Sequence, residues 1–86
     1  MKKIIITGGS GFIGSNLIEY FLKKKYFVIN IDKLSYSGTN LNFKNANKQS
    51  YCFIKSDINN REIIINSLKR YNPFVVFNLA AETHVD

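Results

Sequence analysis

Short apolar runs alternate with longer amphipathic stretches along the chain. Ile4-Ile5-Ile6 is β-branched throughout and runs into a glycine cluster, the pattern of a strand buried on both faces. Phe12, Ile13, Leu17, Ile18, Phe21 and Leu22 then recur at helical spacing, with Ser15, Asn16, Glu19 and Lys23 between them. A second strand is predicted over Phe27 to Ile31, ending at Asp32. Residues 33–48 are polar and Asn-rich, with one short helical turn expected near Leu41 and Phe43. The third strand is Tyr51 to Lys55. Asn59, with Glu62 three residues on, has the form of a helix N-terminal cap. Ile63, Ile64, Leu68 and Tyr71 supply a helical face that Asn72-Pro73 stops, and Phe74 to Leu79 is the last strand.

That alternation predicts an α/β fold: a parallel sheet with helices on its faces and right-handed crossovers. The expected strand order is 3-2-1-4, the N-terminal half of a Rossmann-type doubly wound sheet. Residues 1–86 then form one unit, the first portion of a dinucleotide-binding domain. A complete domain of this type would continue past Asp86, so a longer protein is expected. Alone, the segment is expected to be marginally stable and to self-associate through the uncovered edge of its fourth strand.

Thr7-Gly8-Gly9-Ser10-Gly11-Phe12-Ile13-Gly14 sits between the first strand and the first helix. Gly8, Gly11 and Gly14 make a G-x-x-G-x-x-G pattern. Gly8 would turn the chain off the strand, Gly11 would let backbone approach a pyrophosphate, and Gly14 would let the helix pack close to the sheet. The helix N-terminus adds unpaired N–H groups and the positive end of a dipole. Three spaced glycines alone describe any tight turn; the flanking strand and helix make this a phosphate cradle. Asp32 closes the second strand, where a carboxylate can accept from both hydroxyls of an adenosine ribose. It would repel a 2′-phosphate, which favours NAD over NADP. Lys33 could attract that phosphate, but Asp32 holds the strand-end position itself.

Composition narrows the alternatives. An apolar fraction of 45% with seven Phe and five Tyr suits a folded chain. Twelve Lys and Arg against six Asp and Glu give a net charge of +6, which raises nucleic acid as a partner. The cations are dispersed, however, and the dense run Lys23-Lys24-Lys25 ends a predicted helix, where it complements the dipole. Neither a nucleic-acid nor a membrane partner is expected. Cys52 is the single cysteine and lies in an apolar run, so a small core residue is expected there. With His84 the single histidine, no Cys- or His-based metal site is expected either. The apolar start is too short for a signal peptide or a span, so a cytoplasmic location is expected.

The glycine loop resembles that of the extended short-chain dehydrogenase/reductase family. Asp32-Lys33-Leu34-Ser35-Tyr36-Ser37-Gly38 and Leu79-Ala80-Ala81-Glu82-Thr83-His84-Val85-Asp86 are similar, within that family, to segments of the dTDP-glucose 4,6-dehydratases. Asp57-Ile58 resembles their pair bordering the adenine. The resemblance implies an enzyme that converts dTDP-glucose to its 4-keto-6-deoxy form by transient oxidation at C4, water loss and hydride return. It implies bound NAD, a nucleotide-sugar substrate and a homodimeric full-length protein. Phe12 and Ile13 would cover the pyrophosphate, and Asp32, Lys33, Leu34 and Ser35 would surround the adenosine ribose. Leu79, Ala80, Ala81 and Thr83 would run past the nicotinamide half, with Thr83 also touching substrate. Ser35 and Thr83 are hydroxyl swaps against the family pattern, and one residue is added in Ser37-Gly38-Thr39-Asn40.

No catalytic group is expected within these residues. Tyr20…Lys24 and Tyr51…Lys55 have the spacing of the family's catalytic pair. The first, however, lies towards the far end of a helix, and the second spans about 13 Å of strand. Glu82 and Asp86 lack an arrangement that would make them an acid/base pair. Two further readings stand beside the dehydratase: another extended reductase such as a UDP-sugar 4-epimerase or a decarboxylase, and a non-catalytic dinucleotide-binding module.

Overall fold

The computed structural model describes residues 1–9, 11–33 and 49–79. Its centre is β1 (Lys3–Thr7), which pairs in parallel with β2 (Phe27–Asp32) on one side and β4 (Val75–Asn78) on the other. Outside β2 lies β3 (Tyr51–Lys55), also parallel, so the strand order is β3-β2-β1-β4, as the alternation predicts. Helix α1 (Phe12–Lys23) leads from β1 to β2, and α2 (Arg61–Tyr71) leads from β3 to β4. The turn expected near Leu41 and Phe43 lies outside the described residues.

Burial on both faces explains the unbroken isoleucine run of β1. Ile4 and Ile6 join Val28 beneath Ile18 and Leu22 of α1. Ile5 points the other way, into a cluster with Ile29 and Ile31 that Ile64 and Tyr71 of α2 help to cover. Ile4, Ile5, Ile6, Ile18, Ile29 and Ile31 are each at most 2% exposed, and burying one contributes roughly 1.5–3 kcal/mol. Cys52 belongs to the α2-side layer as a half-buried filler, its Sγ 3.8 Å from the Tyr71 hydroxyl. Burial raises the Tyr71 phenol above its ordinary range.

Helix α1 buries Gly14, Ile18 and Leu22, spaced four residues apart along one line. Phe12 and Ile13 do not join them: they are 83% and 65% exposed at the helix start. The far end closes by two reverse bonds, from Tyr26 N–H to the Phe21 carbonyl and from Lys25 N–H to the Leu22 carbonyl. That closure holds Lys25 at φ 69°, a left-handed conformation usually filled by glycine.

Two details of α2 differ from the sequence reading. Its cap is Asn60 rather than Asn59; the Asn60 side chain accepts from Ile63 N–H at 3.2 Å. Asn59 is drawn into the preceding turn, where its N–H donates to the Asp57 carboxylate at 2.9 Å. The inner face carries Ile64, Ser67 and Tyr71, and Leu68 is 39% exposed. Leu68 is one residue beyond Ser67, hence about 100° further round the helix. Asn72 ends α2 in the left-handed region, as the Asn-Pro stop anticipated.

β4 covers less than the expected Phe74–Leu79, and among the described residues it pairs with β1 alone. Phe74 and Val76 are 63% and 43% exposed on the sheet face away from α1. No helix of the described residues is long and apolar enough to cross a membrane.

Two outcomes in urea unfolding follow. Ile29→Ala should cost about 2–5 kcal/mol because its cavity opens in a closed layer, whereas Leu68→Ala should cost under about 1 kcal/mol. Lys25→Gly should raise stability by about 1 kcal/mol, since glycine relieves the left-handed penalty at that position.

Candidate functional site

The chain steps outward from β1 to β2 and β3, then returns across β1 to β4. The point of reversal lies at β1, and its carboxyl end is where open α/β sheets bind ligands. The glycine loop starts there. Gly8 N–H still continues the ladder, donating to the Ile31 carbonyl at 2.9 Å, but its φ of 75° turns the chain off the sheet. A Cβ on Gly14 would lie 2.5 Å from the Gly9 Cα and 2.8 Å from the Gly8 carbonyl oxygen, so the helix meets the strand end at backbone contact. At Gly11 the added Cβ would meet nothing within 4 Å among the described residues, so on their side this glycine faces open space. The sequence roles of Gly8 and Gly14 thus have direct geometric grounds, and Gly11 leaves clear the approach its role requires.

Gly11 is also the N-cap of α1, without a side-chain cap and with no acidic residue in the first turn. The first-turn N–H groups have no partner within the helix and carry the positive end of its dipole. Ser15 and Asn16 turn their side chains back onto the Phe12 carbonyl at 3.0 Å each, so neither serves as the missing cap. Phe12 and Ile13, exposed beside this opening, form an apolar margin to it.

Asp32 closes β2 at 9% exposure, level with Lys55 in the β3 register. Its main-chain carbonyl accepts from Ser56 N–H at 2.9 Å, which ties the start of the next loop to the same rim. Lys33 is exposed immediately beyond. Asp57 is exposed, and its carboxylate shapes the local turn through Asn59; Ile58 beside it is half-buried. Leu79 N–H donates to the Thr7 carbonyl at 2.9 Å, carrying the β4 backbone to the same end of the sheet. Thr7 Oγ1 donates to Asn78 Oδ1 at 2.7 Å across these two strand ends. Leu34, Ser35, Ala80, Ala81 and Thr83 lie outside the described residues, as do Glu82, His84 and Asp86.

Two residues escaped the sequence reading. Asn30 is fully buried in β2, and its Oδ1 accepts from Gly9 N–H at 3.0 Å. Gly9 has no room for a side chain, because its Cβ would fall 2.5 Å from that same oxygen. The Asn30 amide nitrogen donates to the Tyr51 hydroxyl at 3.2 Å. Burial raises the Tyr51 phenol, with the Asn30 bond opposing, so it is a neutral hydroxyl near pH 7. The available signal was an asparagine amid Val28, Ile29 and Ile31: a polar residue in a buried strand demands partners.

These features fit a dinucleotide. An uncapped helix start and an open glycine are of the kind that receives a pyrophosphate, and the Asp32 carboxylate closes the neighbouring strand at the same end of the sheet. The decoy pairs take structural places. Lys24 Nζ lies 5.4 Å above the Tyr20 ring at the far end of α1, and Tyr51 bonds to Asn30 while Lys55 is exposed. Among the described residues no group of three or more His, Cys, Asp or Glu is placed to hold a metal ion.

Comparison with known proteins agrees with this geometry. The dTDP-glucose 4,6-dehydratase of Haemophilus influenzae is 47% identical over 100% of this chain and 26% of its own length. A crystal structure of dTDP-glucose 4,6-dehydratase from Bacillus anthracis in complex with NAD is 38% identical, with a TM-score of 0.81. It covers 96% of this chain, which in turn spans 28% of it. UDP-glucose 4-epimerase from Thermotoga maritima, solved with UDP-glucose, has a TM-score of 0.70 at 31% identity, over 90% of this chain and 23% of that one. The chain thus spans about a quarter of the length of the curated relatives it matches. A family model described as GDP-mannose 4,6 dehydratase matches residues 5–86, from the middle of β1 onward, and the chain belongs to that family.

Proposed function

We propose that this chain is the NAD-binding portion of a dTDP-glucose 4,6-dehydratase. The whole-chain likeness to the Haemophilus influenzae dehydratase carries the reading, and the loop and strand-end geometry support it. Gly8 and Gly14 set the helix against the strand end, Gly11 gives the pyrophosphate its approach, and Phe12 and Ile13 shield it from water. Asp32 accepts from the adenosine ribose, with Lys33, Leu34 and Ser35 continuing around it and Asp57 and Ile58 bordering the adenine. Leu79, Ala80, Ala81 and Thr83 lead past the nicotinamide half, and Thr83 reaches the sugar. The chemistry the cofactor supplies when bound is reversible hydride transfer, out from C4 of the sugar and back to C6 after water is lost. The acid/base groups for that dehydration belong to other parts of the full-length protein, which on this reading is a cytoplasmic homodimer.

Full-length protein carrying this chain should convert dTDP-glucose to a 4-keto-6-deoxy product, resolved by chromatography and mass. Faster turnover of UDP-glucose, or epimerisation at C4 without loss of water, would overturn the substrate assignment. Asp32→Ala should weaken NAD binding by about 10- to 100-fold, the equivalent of roughly 1.5–3 kcal/mol for charge-assisted bonds. It should also narrow the gap between NAD and NADP, as titration calorimetry with both cofactors will read. The loop glycines should separate in a paired measurement of melting and NAD affinity. Gly11→Val should keep the fold and lose NAD, because its side chain enters open space that the pyrophosphate needs; Gly14→Ala should lower both, because its Cβ collides with backbone.

A further inference from the structure

Asn30 stands between Ile29 and Ile31 at the heart of β2, 0% exposed and in register with Ile6 of β1. Strand alternation turns its side chain with Val28 toward α1, where it meets the glycine loop near Ile18. A buried amide is tolerated only if its polar atoms are bonded, and both ends here are: Oδ1 to Gly9 N–H at 3.0 Å, the amide nitrogen to the Tyr51 hydroxyl at 3.2 Å. The order matters. Gly9 N–H can only donate, so it selects the carbonyl end of the amide, and the nitrogen end is left to donate to the Tyr51 hydroxyl, which anchors it. Gly9, whose N–H is thereby directed inward, is kept free of a side chain by that same oxygen.

We propose that Asn30 is a positioning residue for cofactor binding: acting through Gly9, and itself anchored at its amide nitrogen by Tyr51, it fixes the glycine loop before the pyrophosphate arrives. This rests on the NAD-binding function proposed above. A loop that leaves the sheet by a left-handed turn at Gly8 has one fewer ladder bond to define its path. The Asn30 bond replaces that definition one residue later, from the adjacent strand rather than from the ladder. It divides labour among the loop's amides as well: Gly9 N–H serves the fold, so the pyrophosphate is received by N–H groups further along, at the start of α1. A site whose donors are already in place loses less freedom on binding, and affinity rises accordingly.

The test uses the full-length protein carrying this chain, stripped of cofactor, as wild type, Asn30→Leu, Tyr51→Phe and the double variant. Hydrogen–deuterium exchange over residues 8–14 reports the loop, and titration calorimetry reports the NAD Kd. Asn30→Leu should speed exchange at Gly9 and raise Kd by about ten-fold each, with kcat at saturating NAD within about two-fold of wild type. Tyr51→Phe keeps its ring in the α1-side layer and should raise Kd by about three-fold. The double variant should bind no more weakly than Asn30→Leu, because Tyr51 acts through Asn30. A merely structural Asn30 would lower the melting temperature and leave Kd, measured well below it, unchanged; that result overturns the proposal, as does additivity in the double variant. Should Asn30→Leu fail to fold, Tyr51→Phe decides alone: faster Gly9 exchange with weaker NAD binding supports the proposal, and no change in either overturns it. Wild-type protein that does not bind NAD overturns the function proposed above, whereas NAD-binding wild type with unaffected variants overturns only the role of Asn30.

Discussion

Where α1 begins, helix and strand touch through backbone, with no layer of side chains between them. The Gly14 position would carry a Cβ to 2.5 Å from the Gly9 Cα, a separation that packed atoms do not adopt. The consequences run in both directions along the chain. Behind the contact, Ile18 and Leu22 are brought over Ile4, Ile6 and Val28, so the apolar layer closes. Ahead of it, the uncapped first turn is held at the carboxyl end of β1, beside the point where the strand order reverses. One steric constraint thus sets both the packing of the layer and the place of the positive end of the helix dipole.

Most of the fold could be read from the sequence because its elements announce themselves by period. Ile4-Ile5-Ile6 has to be a strand buried twice over, and residues 14, 18 and 22 of α1 share one helical line. What escaped was decided by single-residue choices that periodicity does not resolve. Asn59 and Asn60 are chemically equal caps, and the Asp57 carboxylate decides between them by taking the Asn59 N–H into its own turn. Ser67 and Leu68 differ by one step round the helix, and the sheet accepts the smaller side chain. Phe12 and Ile13 look like core by composition; their position on the first turn, at the site, leaves them in the open.

The site was legible in proportion to how far each residue's role is local. Gly8, Gly11 and Gly14 act on backbone within the loop itself, so their spacing between a strand and a helix was enough to find them. The place of Asp32 was legible because it ends a strand. Gly9 was not, since its need for glycine comes from Asn30, twenty-one residues away in sequence. Asn30 in turn depends on Tyr51, again twenty-one residues further along. Contacts of that kind follow from register: Asn30 lies beside Ile6 and Phe53, and only the parallel alignment of three strands brings loop, amide and phenol together.

The α1-facing positions of β2 are Val28, Asn30 and Asp32, and they step from apolar to amide to carboxylate toward the carboxyl end. Successive members are about 6–7 Å apart, so charge appears only at the rim. A carboxylate at position 30 would give Gly9 N–H a stronger acceptor. It would also bury an ion, at several kcal/mol, directly beneath a loop that on the proposed function receives an anionic pyrophosphate. The amide supplies the acceptor without the charge. On the opposite face, Ile29 and Ile31 sit in an apolar layer with Ile5, so no comparable gradient runs there. The polarity of one strand face thus separates the part of β2 that holds the fold from the part that reaches the rim. It accommodates an acidic side chain at Asp32, on the rim, and calls for a neutral one two residues before it.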